Sequence, residues 1–139
     1  MLALNLNQVR LNAKAQNKHD AIEQVAQLLV DSGNIDPRYI ESMFAREQVA
    51  NTYLCNGIAI PHGMPENREF ILNTGISVLQ IPEGVQWNDE DTVYLLVGIA
   101  AKSNEHLDIL RKLTRVVSDE EEAQRLANTH NPVDIIEAL

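Results

Sequence analysis

The sequence predicts an α/β domain with a mixed β-sheet covered by helices on both faces, and three observations predict it. Amphipathic helical patterns stand at both ends of the chain, and extended apolar runs occupy its middle. One of those runs, Val93–Ala101, is apolar at nearly every position, as a central strand covered on both faces requires. The connections do not alternate strand and helix regularly, so parallel and antiparallel neighbours should share the sheet. The 139 residues, 45% of them hydrophobic, suffice for one domain with a real core. Only 4% are aromatic, so that core must be built from Leu, Ile, Val and Ala.

In chain order, Asn17 is placed to cap a helix that runs to about Ser32 and stops at Gly33. Its apolar residues Ile22, Val25, Ala26 and Leu29 fall on one helical face. Asp36 should cap a second helix with Pro37 in its first position and Ile40, Met43 and Phe44 as its buried stripe, leaving Arg46 off that stripe near the helix end. Strands are expected at Gly57–Ile60, ended by Pro61, at Thr74–Ile81, closed by Pro82-Glu-Gly84, and at Val93–Ala101. Three helices should follow. These are Asn104–Val117 with Ser103 as its cap, about Glu120–Ala127 behind Asp119, and Pro132–Leu139 behind Asn131. The last pattern, Asp134-Ile-Ile-Glu-Ala-Leu139, ends without a cap, so the natural chain is expected to continue.

Charge narrows the function. Twenty acidic against eleven basic residues leave a formal charge of −9, which argues against nucleic acid and for basic protein surfaces as partners. The single cysteine, Cys55, cannot form an internal disulfide, and a cysteine zinc site is excluded by count. No secretory signal opens the chain, and its longest apolar stretch is about half a membrane span, so a cytoplasmic location without membrane insertion is expected.

Two of the four histidines stand in unusual settings. His62 follows the short strand Gly57–Ile60 in Gly57-Ile-Ala-Ile-Pro-His-Gly63, at a strand end where α/β sheets carry their sites. Pro61 keeps Ile60 extended, and Gly63 lets another group approach closely. The plain alternative is a turn that happens to contain histidine. His106 sits in the first turn of a helix, on the line that continues through Leu110, Leu113 and Val117, and so should point inward beside a helix start that attracts anions. Its alternative is a core histidine. His19 and His130 lie in polar surroundings and read as solvated, and Trp87 reads as packing at a sheet margin. Cys55 is better explained as a small buried or half-buried thiol than as a nucleophile. Neither His62 nor His106 has a second ligand at metal spacing, and no phosphate-cradling loop, dinucleotide fingerprint or serine elbow is present. No metal and no cofactor are therefore expected.

Gly57-Ile-Ala-Ile-Pro-His-Gly63, Pro82-Glu-Gly84 and Gly98-Ile-Ala-Ala-Lys-Ser-Asn-Glu-His-Leu107 together resemble the enzyme IIA domain of the bacterial sugar phosphotransferase system, fructose–mannitol branch. Ala45-Arg-Glu-Gln48, Thr52-Tyr-Leu54 and Pro82-Glu-Gly-Val-Gln-Trp87 place the likeness nearest the fructose type. Cys55 departs from the family, which usually carries glycine there. The resemblance implies a mannitol/fructose-type IIA fold and a phosphohistidine relay from HPr, or an HPr-like domain, to a cysteine of a IIB domain, with no cofactor beyond the covalent phosphohistidine. By position it implies that His62 is phosphorylated and that His106 and Arg46 complete the site. A mannitol-specific IIA, a regulatory nitrogen-type IIA and a metal-dependent hydrolase are the competing readings.

Overall fold

The computed structural model describes residues 4–102 and 105–139. Its five strands, β1 (Val9–Arg10), β2 (Tyr53–Cys55), β3 (Ile58–Ala59), β4 (Gly75–Gln86) and β5 (Thr92–Ala100), form one sheet in the order β1-β4-β5-β3-β2. β1 runs parallel to β4 and β3 parallel to β5, while β4–β5 and β2–β3 are antiparallel. The mixed sheet expected from the sequence is therefore present, and Val93–Ala101 does supply the strand bordered by two others.

Alternation along the long strands builds two cores. Leu79 and Ile81 of β4 and Leu96 and Ala100 of β5 face one side, under α1 (Lys18–Asp31) and α2 (Tyr39–Val49). Ile76 and Val78 with Leu95, Val97 and Ile99 face the other, under α3 (Glu105–Val117), α4 (Glu120–Asn128) and α5 (Pro132–Ala138). Every one of these strand residues is buried, which is why the apolar run reads as continuous rather than alternating. The caps act as the sequence suggests: Asn17 accepts from the N–H of Asp20, Asp119 from Glu121 and Glu122, and Asn131 from Val133.

Three expectations need correction. The second helix starts at Tyr39, not Pro37. The Asp36 carboxylate bonds the N–H and guanidinium of Arg38, and only the Asp36 backbone carbonyl meets the helix, at the Tyr39 N–H. Tyr39, Ser42, Met43 and Glu47 form its buried face, with Ile40 and Phe44 half-buried beside it. Pro82-Glu-Gly84 does not close β4. Gln80 pairs with Leu95 and Val85 with Val93, so the strand bulges at that segment and continues to Gln86. The strand expected at Gly57–Ile60 is present as β3, but β2, which pairs with it at the sheet edge, was not expected, nor was the two-residue β1. β2 and β3 are joined by Asn56 (φ 51°) and Gly57 (φ 78°), the left-handed pair of a tight hairpin turn. The expected cap Ser103 and the amides at Asn104 lie outside the described residues.

Candidate functional site

β3 and β5 are parallel neighbours, so their carboxyl ends open on the same edge of the sheet. His62 stands just past β3, bridged to Ile99 near the end of β5, where the Ile99 N–H donates to the Pro61 carbonyl at 2.9 Å. His106 stands in the first turn of α3, after β5. The chain thus brings two histidines, 44 positions apart, to a ring-centroid distance of 4.9 Å with the planes inclined at 55°. This is the strand-end location expected for both.

The His62 loop is tied to α2 by side chains that sequence reasoning did not single out. The Gly63 N–H donates to the Tyr39 hydroxyl at 2.9 Å, and the Met64 N–H donates to Ser42 Oγ at 2.7 Å. Ser42 in turn donates to Asn67 Oδ1 at 2.7 Å, which fixes the start of the 3-10 segment Pro65–Phe70. Gly63 is required by close approach. A Cβ there would lie within 2.7 Å of Cζ, Cε1 and Oη of the buried Tyr39 ring. On the His106 side, Thr74 Oγ1 accepts from the Lys102 N–H at 3.1 Å and donates to the Glu105 carboxylate at 2.7 Å, anchoring the first turn of α3.

Arg46 reaches the same place from the last turn of α2, off the buried stripe as expected, with Nη1 donating to the Ala50 carbonyl at 2.7 Å. The turn that offers this carbonyl is held by the buried Glu47. Its carboxylate accepts from the Thr52 N–H at 2.8 Å and from Thr52 Oγ1 at 2.6 Å, and pairs with Lys18 at 2.9 Å. Lys18 also lies over the ring of the buried Trp87, 4.9 Å from its centroid. Arg46, His62 and His106, with Tyr39, Gly63 and Arg68, line a cavity of about 110 Å³. Tyr39 and Arg68 are the residues of this group that the sequence motifs did not point to.

Electrostatics follow from the geometry. The Ile60 carbonyl lies 2.8 Å from His62 Nδ1. A carbonyl can only accept, so Nδ1 carries the proton and Nε2 keeps a free lone pair. Burial pushes the His62 imidazole below its ordinary range, reinforced by the Arg46 charge and opposed by the Ile60 carbonyl and the Glu47 charge. His106 is likewise lowered, by burial first and then by His62, Arg68 and Arg46. Both shifts favour the neutral imidazole. Among the described residues no carboxylate lines the cavity, whereas two arginines do, so positive charge is gathered there in a chain of net charge −9.

The other sequence candidates lie elsewhere. Cys55 is half-buried, with Sγ 3.6 Å from the Val117 carbonyl at the far end of α3 from His106. His130 is exposed, as expected. His19 is exposed too, but it is not simply solvated: its ring stacks on Phe44 at 4.0 Å. Among the described residues no group of three His, Cys, Asp or Glu side chains is placed to hold a metal ion. A larger cavity, about 470 Å³ between Tyr94, Glu90 and α4, contains none of the three predicted site residues. At 110 Å³ the histidine site is well below the roughly 300–1,000 Å³ of pockets that enclose a small-molecule substrate.

Comparison with known proteins agrees. The family described as phosphoenolpyruvate-dependent sugar phosphotransferase system, EIIA 2, matches residues 3–139. A multiphosphoryl transfer protein of Rhodobacter capsulatus is 51% identical over 139 residues, 100% of this chain but 17% of that protein. The chain thus spans about a sixth of that relative's length. The mannitol-specific phosphotransferase enzyme IIA component of Bacillus subtilis is 40% identical over 98% of this chain and 95% of its own. The crystal structure of IIA mannitol from Escherichia coli superimposes with a TM-score of 0.92 at 36% identity, covering 99% of both chains. The Escherichia coli complex of enzyme IIA mannitol with phosphorylated enzyme IIB mannitol gives 0.93 at 35% identity, over 99% of this chain and 97% of that one. No helix among the described residues is long and apolar enough to cross a membrane. The chain belongs to the EIIA 2 family of the phosphoenolpyruvate-dependent sugar phosphotransferase system, a family of phosphotransfer components.

Proposed function

We propose that His62 accepts a phosphoryl group from phospho-HPr, or from an HPr-like domain, and passes it to the cysteine of a IIB domain. The observation that carries this reading is the half-buried imidazole whose Nδ1–H is bound to the Ile60 carbonyl, beside a cavity lined by arginine and a second imidazole and, among the described residues, by no carboxylate. In the transfer, the Nε2 lone pair of His62 forms the new N–P bond while the N–P bond on the donor histidine breaks, and its electron pair returns to the donor ring. The donor becomes a neutral imidazole and His62 a phosphoimidazolium whose Nδ1–H stays on Ile60, so no net proton or electron is needed. Passing the group onward, the IIB thiolate takes the phosphorus and His62 recovers its lone pair.

Such transfer gains more from positioning and charge stabilisation than from covalent help. Arg46 offers a planar fork to phosphoryl oxygens, and its contact with Ala50 holds it ready. His106 supplies a second imidazole within reach of the same oxygens. A metal ion is not required by this scheme. A fructose-type IIB is the acceptor favoured by the Ala45–Gln48 and Pro82–Trp87 segments and by the higher identity to a multiphosphoryl transfer protein than to a mannitol component. The relay operates in the cytoplasm, where both partners' reactive groups lie.

The test is labelling. Incubated with phosphoenolpyruvate, enzyme I and HPr, the chain should gain one phosphoryl group, lost in acid and stable in base, and His62→Ala should gain none. Normal labelling of that variant overturns the assignment.

A further inference from the structure

We propose that Arg68 is a second phosphoryl-binding arginine, reaching the site from the segment Pro65–Phe70 and contacting the phosphoryl oxygens during transfer to and from His62. The inference rests on the assignment of His62 as the phosphoryl acceptor.

Three observations carry it. The Arg68 side chain lines the same cavity as His62, His106 and Arg46, although it comes from the 3-10 segment Pro65–Phe70 rather than from a helix or strand of the core. Its backbone is not loosely placed. The preceding residue, Asn67, accepts from Ser42, whose Oγ also receives the Met64 N–H, and the Arg68 carbonyl accepts from the Ile71 N–H at 3.0 Å. The network that positions the His62 loop therefore positions Arg68 as well.

Of the chain's arginines, Arg10, Arg46, Arg68 and Arg115 have no carboxylate partner among the described residues, and of these four Arg46 and Arg68 line the cavity. Arg38, Arg111 and Arg125 each form an ion pair with a carboxylate, to Asp36, Asp108 and Glu122. Arg46 is bonded to the Ala50 carbonyl. Among the described residues Arg68 forms no ion pair and no side-chain hydrogen bond, although Glu66 and Glu69 flank it in sequence. Neither of those glutamates lines the cavity, and the Glu69 charge is felt at Arg38 instead. Arg68 lines the cavity together with His106 and Tyr39, and its charge helps lower the His106 imidazole.

An exposed guanidinium with no carboxylate partner, at the mouth of a cavity already lined by another, is arranged for an anion with several oxygens. One arginine fork can meet two oxygens of a phosphoryl group, and the group has three. Arg46 engages from α2 with part of its fork committed to Ala50, and Arg68 supplies further donors from the 3-10 segment. During transfer the donor N–P bond breaks as the bond to His62 Nε2 forms, and charge gathers on the equatorial oxygens between the two. Arg68 neutralises that charge without exchanging a proton.

The experiment is single-turnover transfer of labelled phosphoryl from phospho-HPr to the chain, with phospho-HPr varied to saturation, for wild type, Arg68→Ala and Arg68→Lys. Arg68→Ala should lower the maximal rate by about tenfold to a hundredfold. Arg68→Lys should recover part of it, because the charge is kept and the fork is lost. Circular dichroism should be unchanged, since the side chain is exposed. In the same samples the His106 ring, followed by NMR, should titrate at higher pH in Arg68→Ala than in wild type. A wild-type maximal rate in Arg68→Ala overturns the proposal. That holds too when only the half-saturating concentration rises, because Arg68 would then be a docking contact. If wild type labels, His62→Ala does not, and Arg68→Ala transfers normally, this inference alone falls; if wild type takes no label, the acceptor assignment falls and this one with it.

Discussion

Replacing Gly63 with alanine is the sharpest steric probe of how the site is held. The added Cβ would meet Cζ, Cε1 and Oη of Tyr39 within 2.7 Å, far inside van der Waals contact. Tyr39 cannot swing away, because its ring is 3% exposed and belongs to the core under α1 and α2. The loop must lift instead, and in lifting it breaks the bond from the Gly63 N–H to the Tyr39 hydroxyl. Overpacking of this kind costs about 1–3 kcal/mol, and the lost bond to a buried amide adds about 1 kcal/mol. A total of about 3 kcal/mol should lower the melting temperature by roughly 10 °C in a chain of this size. The same displacement moves His62, one residue away, relative to His106 and Arg46. A misplacement of about 1 Å costs on the order of 100-fold in a reaction that depends on orientation. Thermal unfolding and single-turnover transfer from phospho-HPr give the two readings. Tyr39→Phe separates them: it removes the bond but not the ring, and should lose stability with a smaller effect on rate. If Gly63→Ala melts and transfers as wild type does, the loop is not held by Tyr39 and the account of the site's positioning is wrong.

Other predictions follow from the same contacts. Arg46→Lys keeps the charge without the fork, and with His106→Ala should slow single-turnover transfer on the order of 100-fold at unchanged circular dichroism; wild-type rates in both would remove these residues from the site. Glu47→Gln breaks the pair with Lys18 and weakens the hold on Thr52, so it should cost about 2 kcal/mol in urea unfolding and slow transfer through the Ala50 turn that receives Arg46. Both site histidines are lowered from their ordinary 6.5, so the unfolded chain binds protons that the folded chain refuses. Stability is then full above about pH 6.5 and falls as the pH drops below it. Urea midpoints between pH 7.5 and 5.5 should fall more in wild type than in a His62→Gln/His106→Gln double variant, and equal falls would contradict the neutral buried pair.

The parts of this molecule that were legible in the sequence are those fixed by local chemistry. Asn17, Asp119 and Asn131 announce helix starts because a short polar side chain before an amphipathic run has one favoured use. β5 is legible because a strand buried on both faces leaves no polar positions. β2 left a signal that went unread: Asn56-Gly57 between Tyr-Leu-Cys and Ile-Ala-Ile is a hairpin turn written in two residues. β4 was cut short because Pro82 and Gly84 usually end a strand, whereas here a bulge absorbs them and Val85 pairs again with Val93. β1 is too short for any periodicity and exists only through its pairing with β4. In the site, His62, His106 and Arg46 were legible from motif and helical position. Tyr39, Ser42, Thr74 and Arg68 were not. Their parts depend on contacts across 22 to 31 positions or on a shared cavity, which no local pattern encodes.

The central claim is that His62 carries the phosphoryl group on Nε2 while Nδ1–H stays bound to the Ile60 carbonyl. Heteronuclear NMR of the ¹⁵N-histidine-labelled, phosphorylated chain tests it most directly. The account predicts a phosphorus coupling to Nε2 of His62 alone, with Nδ1 still protonated. A phosphorus coupling to Nδ1 of His62, or to any nitrogen of His106, would contradict it.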